Sequence, residues 1–175
     1  MNETDFNSVF EDADLPEKPP RFILVLIILT LVNTGIALFT GIVAILAGKP
    51  SEKEILASKV ELAKTIVELK NLKMDYFVDV FQKMEAINDA MYANFMMFNL
   101  LAVFIAGIGA AGAFMMLKRM KLGFHAYIVY SFLSILSVYA FVTPTNVPSI
   151  FIIVNSIFAG LFVFLYSRNL KWLTK

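Results

Sequence analysis

The sequence predicts an all-α integral membrane protein with four transmembrane helices, and three observations support that prediction. Hydrophobic residues make up 59% of the 175 residues, and the mean hydropathy of +0.74 is far above that of a domain with a wet surface. Four uncharged runs are long enough to cross a bilayer, which takes about 20 apolar residues. All 14 acidic residues lie at or before Asp89, so only Lys and Arg are charged beyond it.

The chain begins with an acidic, Pro-rich segment, residues 1–21, which we expect to be a disordered cytoplasmic tail. Six acidic residues stand there against Lys18 and Arg21, and three prolines close the segment. Residues 22–47 are the first predicted transmembrane helix, and the Gly-Lys-Pro sequence that follows ends it.

Two features of this first helix predict helix packing. Ala37 and Gly41 stand four residues apart, and small residues at that spacing let another helix approach closely. Asn33 lies near the middle, where a buried amide needs a partner. Asn155 of the last helix lies at a similar depth, since both amides are about 16 to 18 Å from the cytoplasmic helix end. We therefore expect the first and fourth transmembrane helices to be adjacent and to share an Asn33–Asn155 hydrogen bond.

Residues 48–90 are predicted to form an extracytoplasmic, amphipathic helical hairpin. Ser51 followed by Glu54 is a capping box, so a helix begins there. Both ends of the segment should reach the same membrane surface, yet 40 residues of unbroken helix would hold them about 60 Å apart. The helix therefore folds back near Asn71, which tolerates the left-handed conformation, or lies flat on the membrane. The mixed charge favours the hairpin, whose second arm then continues into the second transmembrane helix.

An apolar heptad repeat runs along this segment and predicts coiled-coil packing. The repeat consists of Leu56, Val60, Ala63, Val67, Met74, Phe77, Phe81, Met84, Met91 and Phe95. A second apolar set consists of Ile55, Leu62, Ile66, Leu69, Tyr76 and Val80. A short hairpin cannot bury both sets, so we expect a partner subunit or a second copy to cover the surplus. The expected partner interface consists of Met74, Phe77, Phe81 and Met84.

Small residues dominate the second predicted transmembrane helix, residues 91–117. Gly107, Gly109 and Gly112 lie in a run where seven of eight residues are small, which predicts close helix packing. A phosphate-binding loop is excluded because the run lies inside an apolar helix and no Gly-Lys-Ser/Thr follows it.

The rest of the chain divides into a basic turn, two further transmembrane helices and a basic tail. Ser131, Ser134 and Ser137 recur every three residues, a stripe that would face either packed neighbours or a wet cavity. The predicted segments are the turn 118–121, the third helix 122–142, the outer link 143–147, the fourth helix 148–167 and the tail 168–175.

The basic residues predict the orientation. The turn and the tail are the short segments rich in Lys and Arg, so both are expected on the cytoplasmic side. Four transmembrane helices then place both termini in the cytoplasm and the hairpin outside. The absence of Cys and the residue usage are compatible with a bacterial inner membrane, which is the expected location.

The sequence lacks the residues on which most membrane enzymes depend. No Asp, Glu, Lys or Arg falls inside a predicted transmembrane helix, there is no Cys, and His125 is the single histidine. This composition argues against proton coupling, haem ligation, zinc hydrolysis and intramembrane proteolysis. We expect a non-enzymatic protein with no catalytic residue, metal or cofactor.

Three functions remain open. The leading expectation is an accessory, assembly or scaffold subunit of a larger membrane complex, which contacts other membrane subunits or copies of itself, and lipid but no nucleic acid. The alternative is an oligomeric pore or carrier for an uncharged or lipid-like solute, and a structural homo-oligomer is third. A scaffold should tolerate apolar substitutions of the serine stripe but fail with a charge at Phe77 or Phe81. A pore should show the reverse.

Overall fold

The computed structural model describes residues 20–173, which are all-α and contain no strand. Helices α1 to α6 are Arg21–Ala47, Glu52–Asn71, Asp75–Ala93, Phe95–Leu117, Lys121–Leu136 and Ser149–Ser167. Short 3₁₀ helices cover Ser137–Ala140, Pro144–Asn146 and Leu170–Trp172. Within residues 20–173, four helices are long and apolar enough to cross a membrane, namely α1, α4, α5 with its 3₁₀ extension, and α6. The predicted all-α class and the four apolar helices are therefore confirmed, whereas nearly all of the acidic tail lies outside the described residues.

Helix α4 lies between α1 and α5 and makes the most extensive contacts in the bundle. On one side, a Cβ added to Gly41 of α1 would lie 2.6 Å from a methyl group of Val103. On the other, a Cβ added to Gly123 of α5 would lie 2.6 Å from the carbonyl oxygen of Gly112. Only residues without a side chain permit such approaches, so glycines place α4 at the centre.

The apolar core lies at the end of the bundle where α4 turns into α5. Arg119 adopts the left-handed conformation (φ 63°), which lets the chain reverse within three residues. The 3₁₀ helix Leu170–Trp172 folds onto this core, and the guanidinium carbon of Arg119 lies 5.5 Å from the centroid of the Trp172 ring. The core consists of Ile23, Leu26, Ile27, Ala113, Met116, Phe124, Tyr127, Tyr166, Trp172 and Leu173. Part of the segment expected to be a basic tail is therefore packed, because its apolar residues are buried here.

Helix α5 ends at Leu136, earlier than residue 142 where the third predicted helix ends. The Ser134 hydroxyl donates to the carbonyl oxygen of Ser131 (2.9 Å), and the Ser137 hydroxyl donates to that of Ser134 (3.1 Å). Hydroxyls that bond to the preceding turn compete with the regular helix ladder. The chain tightens at this point into the 3₁₀ helix Ser137–Ala140.

Helices α2 and α3 pack against each other and have limited contact with the bundle. The predicted capping box is confirmed, since Ser51 Oγ accepts from the Glu54 amide and the Glu54 carboxylate accepts from the Ser51 amide. The Ser51 hydroxyl also donates to the Glu54 carboxylate (2.7 Å), and this bond, together with the one from the Ser51 amide, lowers the pKa of Glu54. Lys59 Nζ lies 2.7 Å from Asp89 Oδ1 across the pair, and this contact raises the pKa of Lys59.

The chain reverses between α2 and α3 close to the expected position, but at a different residue. Asn71 is the last residue of α2, and Lys73 adopts the left-handed conformation (φ 56°). The amide of Lys73 bonds to the carbonyl oxygen of Lys70, and that of Met74 to the carbonyl oxygen of Leu69. These bonds satisfy carbonyl groups of the last turn of α2, which explains why the left-handed residue lies two positions after the helix end.

A short interruption at Asn94 separates α3 from α4. Its backbone (φ −115°, ψ 32°) departs from helical values, and its side-chain amide donates to the carbonyl oxygen of Ala90 (3.0 Å). The expectation of one continuous helix through this point is therefore wrong in detail, because the asparagine amide engages a carbonyl of the preceding turn. Near this junction α3 also contacts the segment Pro144–Asn146, and Phe98 packs on Phe141. The α2–α3 pair thus joins the bundle at the end opposite the core.

Candidate functional site

A half-enclosed cavity of about 390 Å³ lies between α1, α5 and α6. Helix α4 closes none of its walls, although it fixes the relative positions of α1 and α5. We call this space the α1–α5–α6 cavity. Its lining consists of Leu29, Thr30, Asn33, Tyr127, Tyr130, Ser131, Ser134, Ile135, Asn155, Phe158, Ala159 and Phe162. The cavity therefore combines hydroxyl and amide groups with an apolar remainder.

The cavity exists because α6 packs loosely. Helices α1 and α6 have few close contacts, and the hydrogen bond between Thr30 Oγ1 and the Tyr166 hydroxyl (2.8 Å) joins them near the core. A Cβ added to Gly160, in the middle of α6 but outside the cavity lining, would meet no atom of residues 20–173 within 4 Å. Side chains from α1 and α5 leave a gap along the face of α6 that carries Asn155, Phe158 and Phe162.

Tyr130 brings a hydroxyl group to the wall of the cavity. A Cβ added to Gly109 of α4 would lie 2.7 Å from the Tyr130 ring, so the missing side chain gives the ring its place. In that position the Tyr130 hydroxyl accepts a hydrogen bond from Asn33 Nδ2 (3.1 Å). This bond links α1 to α5 across the rim of the cavity.

The predicted Asn33–Asn155 hydrogen bond is not formed. Asn33 donates to Tyr130 as above, and Asn155 Nδ2 donates to the carbonyl oxygen of Phe151 in its own helix (2.7 Å). Both amides line the α1–α5–α6 cavity, which separates them. The prediction rested on depth along each helix, and depth carries no information on how far apart two helices stand.

The serine stripe follows the cavity wall and passes beyond it. Ser131 is 6% exposed, and Ser131 and Ser134 both line the α1–α5–α6 cavity. Ser134 and Ser137 also line a second cavity of about 310 Å³, which α3 closes with Met84, Ile87 and Asn88. Met84, predicted to contact a partner, thus faces the bundle of its own chain.

The predicted small residues differ in how they are used. Gly41, Gly109 and Gly112 each lie where an added Cβ would be 3.0 Å or less from another helix. Gly107 has open space instead, with nothing within 4 Å, so it makes no close contact within the described chain. Ala37 is partly buried on α1.

The two apolar sets of α2 take roles opposite to those that the heptad pattern indicated. Ile66 of the second set is buried against α3, and Ile55, Leu62 and Leu69 are partly buried. The heptad residues Leu56, Val60, Ala63 and Val67 are exposed, and we call them the outer face of α2. On α3, Met74 and Phe77 are exposed and Phe81 is partly buried. The seam thus uses the second set, and the outer face of α2 is left uncovered within residues 20–173.

The cavity can bind uncharged groups by hydrogen bonding. None of the described residues that line it is acidic or basic, so it offers no general acid, base or fixed charge. Sequence reasoning missed the Thr30–Tyr166 bond and the contact of Tyr130 with Asn33, although a Tyr hydroxyl inside an apolar helix needs a partner and could have drawn attention to both tyrosines.

No protein family model, curated protein or solved structure matches this chain.

Proposed function

We propose that this chain is a non-enzymatic membrane protein that serves as an accessory or assembly subunit of a larger membrane complex. The observation that carries the proposal is the outer face of α2. Leu56, Val60 and Val67 are 63%, 47% and 55% exposed, although they follow the repeat that normally forms a helix–helix seam. A partner helix on this face would be stabilised by roughly 25 cal/mol for each Å² of apolar surface that it buries.

The charges beside the outer face of α2 indicate what kind of partner would fit. Val60, Ala63 and Val67 form a shallow groove whose rim carries Lys64 and Glu68. A groove with both signs at its rim favours an amphipathic helix with mixed charges over a strongly acidic or basic surface. The partner in this proposal is therefore an amphipathic helix of another membrane subunit.

The proposed topology follows from the basic residues. Lys118, Arg119 and Lys121 lie at the end of the bundle that holds the core, which we place on the cytoplasmic side of a bacterial inner membrane. The α2–α3 pair, at the opposite end, would then form an extracytoplasmic hairpin. The outer face of α2 would be available to subunits with domains on that side.

The test is extraction of the full-length protein from its native membrane in a mild detergent, followed by native mass measurement. A photo-crosslinking residue at Ala63 identifies what lies on the outer face of α2. Val60→Asp places a charge in the groove, and Leu72→Asp makes the same kind of change at the α2–α3 turn, where Leu72 is 68% exposed. Circular dichroism checks that both variants stay helical.

The proposal expects a stoichiometric partner that crosslinks at Ala63, is lost in Val60→Asp and is kept in Leu72→Asp. Retention of the same partner by both variants would contradict it. Recovery of a closed ring of this chain alone would also contradict it and would favour the oligomeric pore or carrier, for which solute flux in liposomes is the next measurement.

A further inference from the structure

We infer that the α1–α5–α6 cavity is a binding site for an uncharged amphiphile whose polar head carries a hydroxyl group. The inference stands apart from the proposed assembly role, because the cavity lies among the apolar helices and not on the α2–α3 pair. It rests on the hydrogen-bonding groups of the cavity, on the absence of charge among its described lining residues, and on its size and shape.

The first step concerns two amide oxygens. Within residues 20–173, the hydrogen bonds of Asn33 and Asn155 all use their NH₂ groups, so neither Oδ1 atom has a protein donor there. Both residues line the cavity from opposite walls, Asn33 on α1 and Asn155 on α6. An amide oxygen without a partner in an apolar environment costs free energy, which a ligand that donates a hydrogen bond would recover.

The second step concerns a donor on the third wall. The Tyr130 hydroxyl accepts from Asn33 Nδ2 and keeps its own hydrogen for donation. A ligand that fits all three walls must therefore both donate and accept hydrogen bonds. A hydroxyl group does both, whereas an ester group only accepts.

The third step concerns charge. The described lining residues include no Lys or Arg to neutralise a carboxylate or phosphate, and no Asp or Glu to hold an ammonium group. Transfer of an unpaired charge into such a cavity is expensive. The head of the ligand must be neutral.

The fourth step concerns the body of the ligand. Leu29, Ile135, Phe158 and Phe162 supply an apolar wall beside the polar groups. The cavity is half enclosed, and its volume of about 390 Å³ lies in the lower part of the range of small-molecule sites, about 300 to 1,000 Å³. It holds a head and the first part of a chain, and the rest of the chain can lie along the exposed surface of α6 in the lipid.

The test uses the full-length protein in phosphatidylcholine nanodiscs and a monoacylglycerol with a diazirine in its acyl chain. Peptide mapping locates the label, and unlabelled competitors define the head group. Monoacylglycerol is neutral and donates hydrogen bonds, the matching methyl ester is neutral without a donor, and the matching fatty acid carries a charge. We expect labelling of α1, α5 or α6 beside the cavity, with competition by monoacylglycerol well ahead of both other compounds.

The variants are Asn155→Leu in the cavity and Asn99→Leu as the matched control. Asn99 lies on α4, outside the cavity lining, and like Asn155 it donates to a carbonyl of its own helix (Phe95, 2.8 Å). We expect monoacylglycerol affinity to fall roughly threefold to twentyfold in Asn155→Leu, the range of one hydrogen bond among apolar helices. Asn99→Leu should leave it unchanged.

Thermal unfolding of both variants separates loss of the site from loss of the fold. Asn155 makes no hydrogen bond to another described helix, so its replacement should leave the fold intact. Equal affinity of the folded wild-type and Asn155→Leu proteins would overturn the inference. So would equal competition by the methyl ester, or a label confined to surfaces away from the cavity.

Discussion

Helices α4 and α6 have similar hydropathy and length, yet they behave very differently in the bundle. In the most apolar stretch of α4, 33% of residues are buried, against 6% in α6. The glycines explain the difference. An added Cβ on Gly109 or Gly112 of α4 would lie within 3.0 Å of another helix, whereas one on Gly160 of α6 would meet no described atom within 4 Å. Apolar character allows a helix to cross the membrane, and small residues at the contact positions decide whether it packs closely against other helices.

The largest expected effect comes from a methyl group added at the tightest contact. In Gly123→Ala, the new Cβ would lie 2.6 Å from backbone atoms of Gly112 and Met116, which cannot move aside. We expect the free energy of unfolding to fall by about 1 to 3 kcal/mol, the usual range for overpacking. Reversible unfolding in mixed micelles measures it.

Gly160→Ala is the matched control, since it adds the same methyl group to α6 where there is space. It should be neutral, or stabilising by up to about 1 kcal/mol through helix propensity. Equal losses in Gly123→Ala and Gly160→Ala would break the comparison between the helices.

The second effect concerns the hydrogen bond that joins α6 to α1. Tyr166→Phe removes the hydroxyl that meets Thr30 in the core, and we expect a loss of about 0.6 to 2 kcal/mol. A double-mutant cycle with Thr30→Val isolates the pair energy. Thr40→Val is the control, because Thr40 is exposed and bonds to Ile36 of its own helix. A coupling energy near zero would mean that α6 is held by apolar contact alone.

A smaller difference is expected between the two asparagines of the cavity. Asn33→Leu removes the bond to Tyr130 and should cost about 0.6 kcal/mol. Asn155→Leu removes a bond within α6 and should change the free energy of unfolding by less than about 0.5 kcal/mol. The same micelle assay compares them, and a larger loss at Asn155 would show that α6 is anchored more firmly than its contacts indicate.

The smallest effect concerns the α2–α3 pair. An exposed ion pair joins these two helices, whereas close contacts at glycines join α4 to α5. The contact between Lys59 and Asp89 raises the pKa of Lys59, so its stabilising contribution is complete below the ordinary pKa of 10.5. It is lost as the pH rises through the higher folded-state value. About 1 M salt should weaken the contact, while the α4–α5 contact should not respond. Hydrogen exchange of α2 measures the change, with Asp79→Asn as a control that leaves Asp89 intact.

Much of the fold could be predicted from local sequence. Runs of apolar residues located the four helices, and Ser51 with Glu54 located the start of α2. The left-handed residue of the turn could not be predicted, because it depends on the residue at which α2 ends, and that residue decides which carbonyl oxygens the amides of Lys73 and Met74 reach. The burial of Trp172 in the core beside Arg119 was not predicted, because Trp172 lies in a C-terminal segment rich in Lys and Arg.

The candidate site was predictable in its residue types and not in its arrangement. Asn33, Asn155 and two of the three serines line the cavity. Their partners depend on helix separation and rotation, which a single sequence does not specify. The same limit applies to α2, where two apolar sets competed for one seam and Ile66 is buried while Val60 is exposed. Successive residues lie about 100° apart around a helix axis, so a rotation of the helix by about that angle is enough to exchange such faces.

The turn at Lys73 also has a consequence for the assembly of the bundle. Helices α1 and α4 must meet although the chain between Ala47 and Phe95 is long, and closing such a connection as a random coil costs on the order of 2 kcal/mol more than a tight turn. Because α2 and α3 run back alongside each other, as the contact of Lys59 with Asp89 requires, they return the chain close to its starting point. Closing the chain through this folded pair therefore costs about as little entropy as a short connection would, and its folding brings Gly41 of α1 within reach of Val103 of α4.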